Sequence, residues 1–241
     1  MTKYRHEHIA WFAPDGGADS VAGYLTPNAA QALCVLLSAQ LDHGVAGSLA
    51  EIGVFCGKTL LGLAKASREG ERVLGVDIFE GAIEEAFKAN AVVLDAATAA
   101  RVRTLKIDSL ALRTHDWIDA LGGPARFIHI DGGHTRAHVV NDLQLASSFL
   151  ADRALVVLDD FLHDWYPDLT EGIIDGLKAS RNLVPLAVIP RETPIREGGS
   201  KLVCATRDGV DFYRDLLVQK YAAQETPMRR FLETDVFSFP A

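Results

Sequence analysis

From Leu49 onward, short β-branched and apolar runs alternate with longer stretches whose apolar positions recur at helical spacing. Leu49–Val54, Val73–Asp77, Val102–Ile107, Phe127–Asp131 and Leu155–Asp159 read as strands. Lys58–Ala66, Ala82–Ala100, Leu110–Leu121 and Arg136–Leu150 read as the helices between them. Such alternation predicts right-handed crossovers and a Rossmann-like α/β fold, a mostly parallel sheet with helices on both faces. The unbroken apolar run Ala154-Leu-Val-Val-Leu158 suits a strand covered on both sides. Leu183–Ile189 and Lys201–Ala205 bring the sheet to seven strands, joined through a loop or hairpin at Pro190–Gly199. Upstream, Thr26 caps and Pro27 opens a helix reaching about Leu41, expected to serve as a lid or an oligomer contact. The layout is therefore an N-terminal helical extension (1–45), an α/β domain (46–210) and a C-terminal helix and tail (211–241).

Composition narrows the partners. The chain has 241 residues, enough for one such domain with an appendage, and 49% of them are apolar. A net charge of −8 without any basic run argues against nucleic acid, because a phosphate backbone demands clustered Lys and Arg. A small-molecule substrate is the expectation. Cys34, Cys56 and Cys204 are widely spaced and form neither a disulfide framework nor a zinc site. No signal-peptide pattern and no apolar run of membrane-spanning length is visible, so no membrane partner is expected and the compartment is expected to be the cytoplasm. The N-terminal helix and the apolar Val236-Phe-Ser-Phe-Pro240 are the candidate contact surfaces for a homo-oligomer.

Candidate chemistry lies at the strand ends. Glu51-Ile-Gly-Val-Phe-Cys-Gly-Lys-Thr59 closes the first strand, and glycines 53 and 57 allow a tight turn against a ligand. A phosphate-binding loop needs four residues between its glycines, and here there are three; a dinucleotide loop needs a middle glycine, which is missing. Alone, the segment reads as a ligand loop or as a plain turn. Asp77, closing the second strand, is placed to accept hydrogen bonds from a ribose or to cap a loop. Phe79 stacks on an adenine or fills the core; Asp108-Ser109 touches an adenine edge or caps a helix.

Phe127-Ile-His-Ile-Asp-Gly-Gly-His-Thr135 and Val157-Leu-Asp-Asp-Phe161 carry more. If their strands are neighbours, Asp131, Asp159 and Asp160 converge at the carboxyl edge of the sheet, where open α/β folds bind ligands. Like charges held that close need a cation or raised pKa values. An all-oxygen set suits Mg2+, Mn2+ or Ca2+; the alternative is caps and solvated loop carboxylates. His134, at the turn into the next helix, is either a general base for a hydroxyl or an inert loop histidine. His129-x-Asp131 with His138 or His163 mimics a two-histidine, one-carboxylate iron site, but that site belongs to β-barrels, so His129 reads as a buried or supporting residue. Asn141 and Asp142 read as structural, the aromatics of His163–Asp168 as a pocket wall, and Cys56 as a thiol without a base.

At these residues the sequence resembles the class I S-adenosylmethionine (SAM) dependent methyltransferases, within them the group of macrocin and mycinamicin O-methyltransferases. The matching pieces are Glu51–Thr59, Gly75-Val-Asp77, Lys106-Ile-Asp-Ser109, Ile130-Asp-Gly-Gly-His-Thr135 and Leu158-Asp-Asp160, in the family's order. The resemblance implies a seven-stranded sheet with its last strand antiparallel and SAM across the tips of strands one to four. It implies SAM contacts from Glu51, Gly53, Gly57, Lys58, Thr59, Asp77, Ile78, Phe79, Asp108, Ser109 and Asp131. It also implies Mg2+ on Asp131, Asp159 and Asp160, with His134 as general base, and methyl transfer to a hydroxyl of a small molecule. The family often has Glu-Asp where Asp159-Asp160 stands, and Gly-Gly where Ala151-Asp-Arg-Ala154 stands. A metal-free methyltransferase, a metal-dependent oxygenase or hydroxylase on the same scaffold, and a non-catalytic SAM-binding protein are the rival readings.

Overall fold

A computed structural model of the chain describes residues 6–192, 198–224 and 228–240. The strands β1 (Ser48–Ile52), β2 (Val73–Asp77), β3 (Val102–Lys106), β4 (Ala125–Ile130) and β5 (Leu150–Phe161) pair in parallel in the order β3-β2-β1-β4-β5. β1 thus lies between β2 and β4, and the crossovers on its two sides leave a crevice at the carboxyl ends. β7 (Ser200–Thr206) runs antiparallel beside β5, and β6 (Leu183–Ile189) follows it. Nine strands, not seven, are present among the described residues. The additional pair, β8 (Met228–Phe231) and β9 (Thr234–Ser238), extends the sheet past β6. Val236, Phe237 and Phe239 are buried within the chain, so the apolar end covers β6 instead of forming an outer contact surface. Residues 193–197 of the expected Pro190–Gly199 connection fall outside the described residues.

Strand alternation assigns the two sides of the core. Leu49, Phe127, Leu155 and Val157 face one side with α2 (Pro27–Asp42), α3 (Lys58–Ala66) and α9 (Val210–Lys220). Ala50, Ile128, Val156 and Leu158 face the other with α6 (Thr114–Leu121), α7 (Arg136–Ser147) and α8 (Pro167–Ala179). Both faces are covered, which is why these strands carry no polar alternation. Thr26 caps α2 as expected, its Oγ1 accepting from the Ala29 N–H at 3.2 Å. The long helix expected over Ala82–Ala100 is two, α4 (Ile83–Ala91) and α5 (Ala96–Ala99). Asp95 is extended at the break, and its carboxylate accepts from the Thr98 N–H at 3.0 Å, restarting the helix. The helix expected from Leu110 starts at Thr114, after a short turn capped by Asp108. An unforeseen α1 (Glu7–Phe12) docks on α3, where the Trp11 indole N–H donates to the Lys58 carbonyl at 2.9 Å.

At the amino-terminal edge of the sheet, fully buried Arg126 on β4 meets Glu71 through two 3.1 Å contacts. Its remaining donors reach Gln40 of α2 and the Ala66 carbonyl at the end of α3. Burial disfavours the Glu71 charge, but Arg126 and Arg68 outweigh it and hold the carboxyl below its ordinary range. Glu71→Gln is expected to cost about 3–5 kcal/mol, since it strands a buried guanidinium without its counter-charge. Because the folded pKa is depressed, this stabilisation is present above the ordinary glutamate pKa and lost as pH falls through the folded one. Denaturant melts should therefore show the gap between wild type and variant closing below about pH 4. A gap independent of pH would refute the charge assignment.

Candidate active site

The crevice at the carboxyl ends of β1, β2, β4 and β5 opens into a cavity of about 720 Å³, in the range that holds a small-molecule ligand. Its floor comes from three loops. The first, after β1, turns at Gly53 with φ +89°, and a Cβ there would overlap the Asp131 carbonyl, so no other residue fits. Gly57, at φ +92°, caps α3 and sits against Phe87; it shapes the loop without lining the cavity. Lys58 and Thr59, the first residues of α3, do line it.

Asp77 ends β2, and its two carboxylate oxygens accept from the Phe55 N–H at 2.8 Å and the Phe79 N–H at 2.6 Å. It ties the first loop to the second. The next residues divide: Ile78 is exposed and lines the cavity, whereas Phe79 is buried against Phe87, with ring centroids 5.6 Å apart. Phe79 therefore fills the core instead of facing the cavity, as Ile78 does; the positive φ of Phe79, +45°, turns its side chain inward. Asp108 and Ser109 also line the cavity, Asp108 capping the following turn through the Leu110 N–H at 2.9 Å.

Four acidic residues stand at neighbouring strand ends. Glu51 of β1 is buried, its Oε1 bonded to His129 Nδ1 at 2.9 Å, while its Oε2 has no hydrogen-bond partner. Burial raises the Glu51 pKa, which His129 partly offsets. Asp131 follows β4, and its pKa is raised well above the carboxylate range by burial and then by Asp159. Asp159 and Asp160 lie near the end of β5, where Asp160 takes a left-handed φ of +53°. His134 Nε2 meets Asp160 Oδ2 at 2.8 Å, and the imidazole stacks on Tyr166 with centroids 4.4 Å apart. The Asp160 hydrogen bond raises the His134 pKa. For Asp160, burial disfavours the charge, but His134 and the Gly199 N–H outweigh it and hold the pKa low.

Asp131, His134 and Asp160 offer ligand atoms within 4.8 Å of one another. Asp159 is not in that group. Its Oδ2 is held by the ammonium of Lys201, a buried residue on β7 that reads in the sequence only as the start of a strand. His129 is buried between Glu51 and Asp159, as expected of a supporting residue. His138 bonds to Thr135 and His163 lies 3.9 Å from Asp160; among the described residues the group of potential ligands holds His134 and neither His129, His138 nor His163. Trp165 and Tyr166 wall the cavity as expected, and the N-terminal Ala22, Gly23, Tyr24 and Thr26 close it from above.

Residues 50–161 match the family model described as a methyltransferase domain. The stretch spans β1 to the end of β5, and the fold is that of class I methyltransferases. Among solved structures it is similar to cofactor-bound Rv0187 from MTB (18% identity, TM-score 0.58, covering 80% of this chain and 87% of that one). It is also similar to an O-methyltransferase from Bacillus cereus in complex with SAH (17%, TM-score 0.55, 79% and 86%). A third is the O-methyltransferase TomG from Streptomyces achromogenes in complex with SAM (19%, TM-score 0.54, 74% and 80%). No curated protein matches the sequence. The strands β8 and β9 extend the sheet beyond the expected seven strands, and no helix among the described residues is long and apolar enough to cross a membrane.

Asp142 on α7, beneath the Gly132-Gly133 turn, has no place in the cavity. Burial pushes its carboxyl up to about 6, and its Oδ2 has no partner. The folded protein therefore keeps a proton that the unfolded chain releases near pH 4, and stability falls as pH rises from about 4 to 6. Asp142→Asn should raise stability at pH 8 by about 2 kcal/mol and by much less at pH 4. Equal gains at both pH values in thermal melts would rule out a buried charge as the cause.

Proposed function

We propose that the protein is a SAM-dependent O-methyltransferase acting on a hydroxyl of a small molecule, with His134 as the general base. The observation that carries the reading is the His134–Asp160 pair, set on the rim of a cavity whose other end is the Gly53 loop and Asp77. The cofactor end fits SAM on its own features. Gly53 leaves a cradle that a Cβ would fill, Glu51 Oε2 is a buried acceptor without a partner, and Asp77 keeps lone pairs for ribose hydroxyls beside the two N–H groups it holds. Ile78, Asp108 and Ser109 supply the adenine wall, and Lys58 and Thr59 the start of α3. Bound SAM supplies a methyl group already activated on a cationic sulfur, which leaves positioning and proton removal to the protein.

Asp160 accepts from His134 Nε2–H, which fixes the tautomer that keeps Nδ1 as the basic nitrogen. Tyr166 holds the ring plane by stacking, and Trp165 walls the site beside it. An acceptor hydroxyl reaching Nδ1 gives up its proton there as its oxygen becomes the nucleophile. Residues 22–29 border the cavity, which supports a lid role for the N-terminal extension. The divalent ion expected on Asp131, Asp159 and Asp160 fits less well. Asp159 already faces Lys201, and using His134 in its stead would consume the base. No step is routed through an ion.

Calorimetric titration of SAM and S-adenosylhomocysteine into wild type and Asp77→Ala tests the cofactor end. Micromolar binding, weakened at least about tenfold by the substitution, is expected; absence of binding to wild type would sink the reading. His134→Ala should retain S-adenosylhomocysteine affinity and lose about 10²–10⁴-fold in transfer to hydroxylated acceptors such as catechols or sugars. Since the base acts unprotonated and its pKa is raised, transfer should rise with pH through a midpoint above 6.5. A midpoint below that value would move the base elsewhere.

A further inference from the structure

We infer that Lys201 is the resident cation of the aspartate cluster, standing where a divalent ion was expected, so that the site works without a metal. The inference rests on the methyltransferase reading for its purpose but on separate observations for its substance.

Asp159 and Asp160 are buried and Asp131 is half-buried beside them, so like charges at adjacent strand ends must be offset. The fold supplies that charge from within. β7 inserts antiparallel beside β5 with Leu158 opposite Leu202 and Phe161 opposite Ser200, which puts Lys201 across from the Asp159-Asp160 pair. The ammonium is buried, ion-paired to Asp159, and lies on the wall of the same cavity as His134.

Each oxygen of the two adjacent aspartates is already engaged by a protein donor. Asp159 Oδ1 accepts from the Asp160 N–H at 2.7 Å, and its Oδ2 is taken by Lys201. Asp160 Oδ1 accepts from the Gly199 N–H at 2.7 Å, and its Oδ2 from His134. Gly199 and Lys201 belong to one short segment at the start of β7, so a single piece of chain satisfies both carboxylates. A hard cation that takes six or more oxygens would have to share Asp160 with these donors, beside a fixed ammonium whose charge repels it. A fixed ammonium takes over the electrostatic role of such an ion, stabilising the negative charge that grows on the acceptor oxygen as its proton leaves for His134.

Mn2+ titration followed by calorimetry and by the electron spin resonance of the free ion decides the matter, and needs no acceptor. Wild type, with or without S-adenosylhomocysteine, should show no saturable site tighter than ~1 mM. Lys201→Met, which leaves Asp159 without its counter-charge, should gain a Mn2+ site at least about tenfold tighter than any in wild type. The double variant Asp159→Asn/Lys201→Met removes both charges and should bind no better than wild type. Saturable wild-type binding below ~1 mM that disappears in Asp131→Asn would overturn the inference. If Lys201→Met does not fold, the wild-type titration still decides. S-adenosylhomocysteine binding in the same samples separates the two claims: its absence sinks the methyltransferase reading, whereas its presence with a Mn2+ site sinks only the role of Lys201.

Discussion

The organising constraint in this molecule is the accumulation of buried negative charge at the carboxyl edge of the sheet. Glu51, Asp131, Asp159 and Asp160 end three neighbouring strands, β1, β4 and β5; Glu51, Asp159 and Asp160 are buried and Asp131 is half-buried beside them. Each carboxylate that keeps its charge there must be met by a donor or a cation. The surrounding architecture meets this requirement from several directions: His129 from β4 lies between Glu51 and Asp159, His134 enters from the turn before α7, and Lys201 arrives on an antiparallel strand. The result is a polar ladder across four strands, Glu51, His129, Asp159 and Lys201, just beneath the cavity floor. One end touches the loop that suits the cofactor, and the other the region that suits the acceptor.

Much of this was legible in the sequence because the informative residues end strands. Gly53, Asp77, Asp131 and the Asp159-Asp160 pair each follow an apolar run, and parallel strands in a wound sheet bring such ends to one edge. Their convergence thus needs only the strand order. Lys201 could not be found that way. It begins an ordinary apolar strand, and its importance depends on β7 slipping between β5 and β6, a pairing 42 residues distant from Asp159. The requirement for a cation was readable; its identity was not, since a carboxylate cluster asks for positive charge without saying whether an ion or an ammonium brings it. Phe79 misled for a local reason. Two residues past Asp77, strand parity would point it outward, but a left-handed turn redirects it into the core. The C-terminal hairpin was hidden because a four-residue and a five-residue strand leave too short a pattern to register, and its apolar residues resemble an exposed patch until β6 is seen to need cover.

The two edges of the sheet solve the same electrostatic problem differently. At the amino edge, Arg126 and Glu71 form a two-contact pair with further donors satisfied by Gln40 and Ala66. These contacts tie β4 to α2 and to the end of α3. At the carboxyl edge, left-handed non-glycine residues gather: Phe55 after β1, Phe79 after β2, and Asp160 and Leu162 around the end of β5. Each such conformation costs about 1–2 kcal/mol and persists only where surrounding contacts impose it. Those contacts are visible: Asp77 accepts the N–H groups of Phe55 and Phe79, and the Gly199 N–H and His134 fix the Asp160 carboxylate. The same hydrogen bonds that hold the strained turns also orient the groups facing the cavity. Strain and site geometry are therefore one feature, and loosening either Asp77 or Asp160 must disturb the loops and the chemistry together, whereas a change at the amino edge lowers stability while leaving the arrangement of the cavity intact.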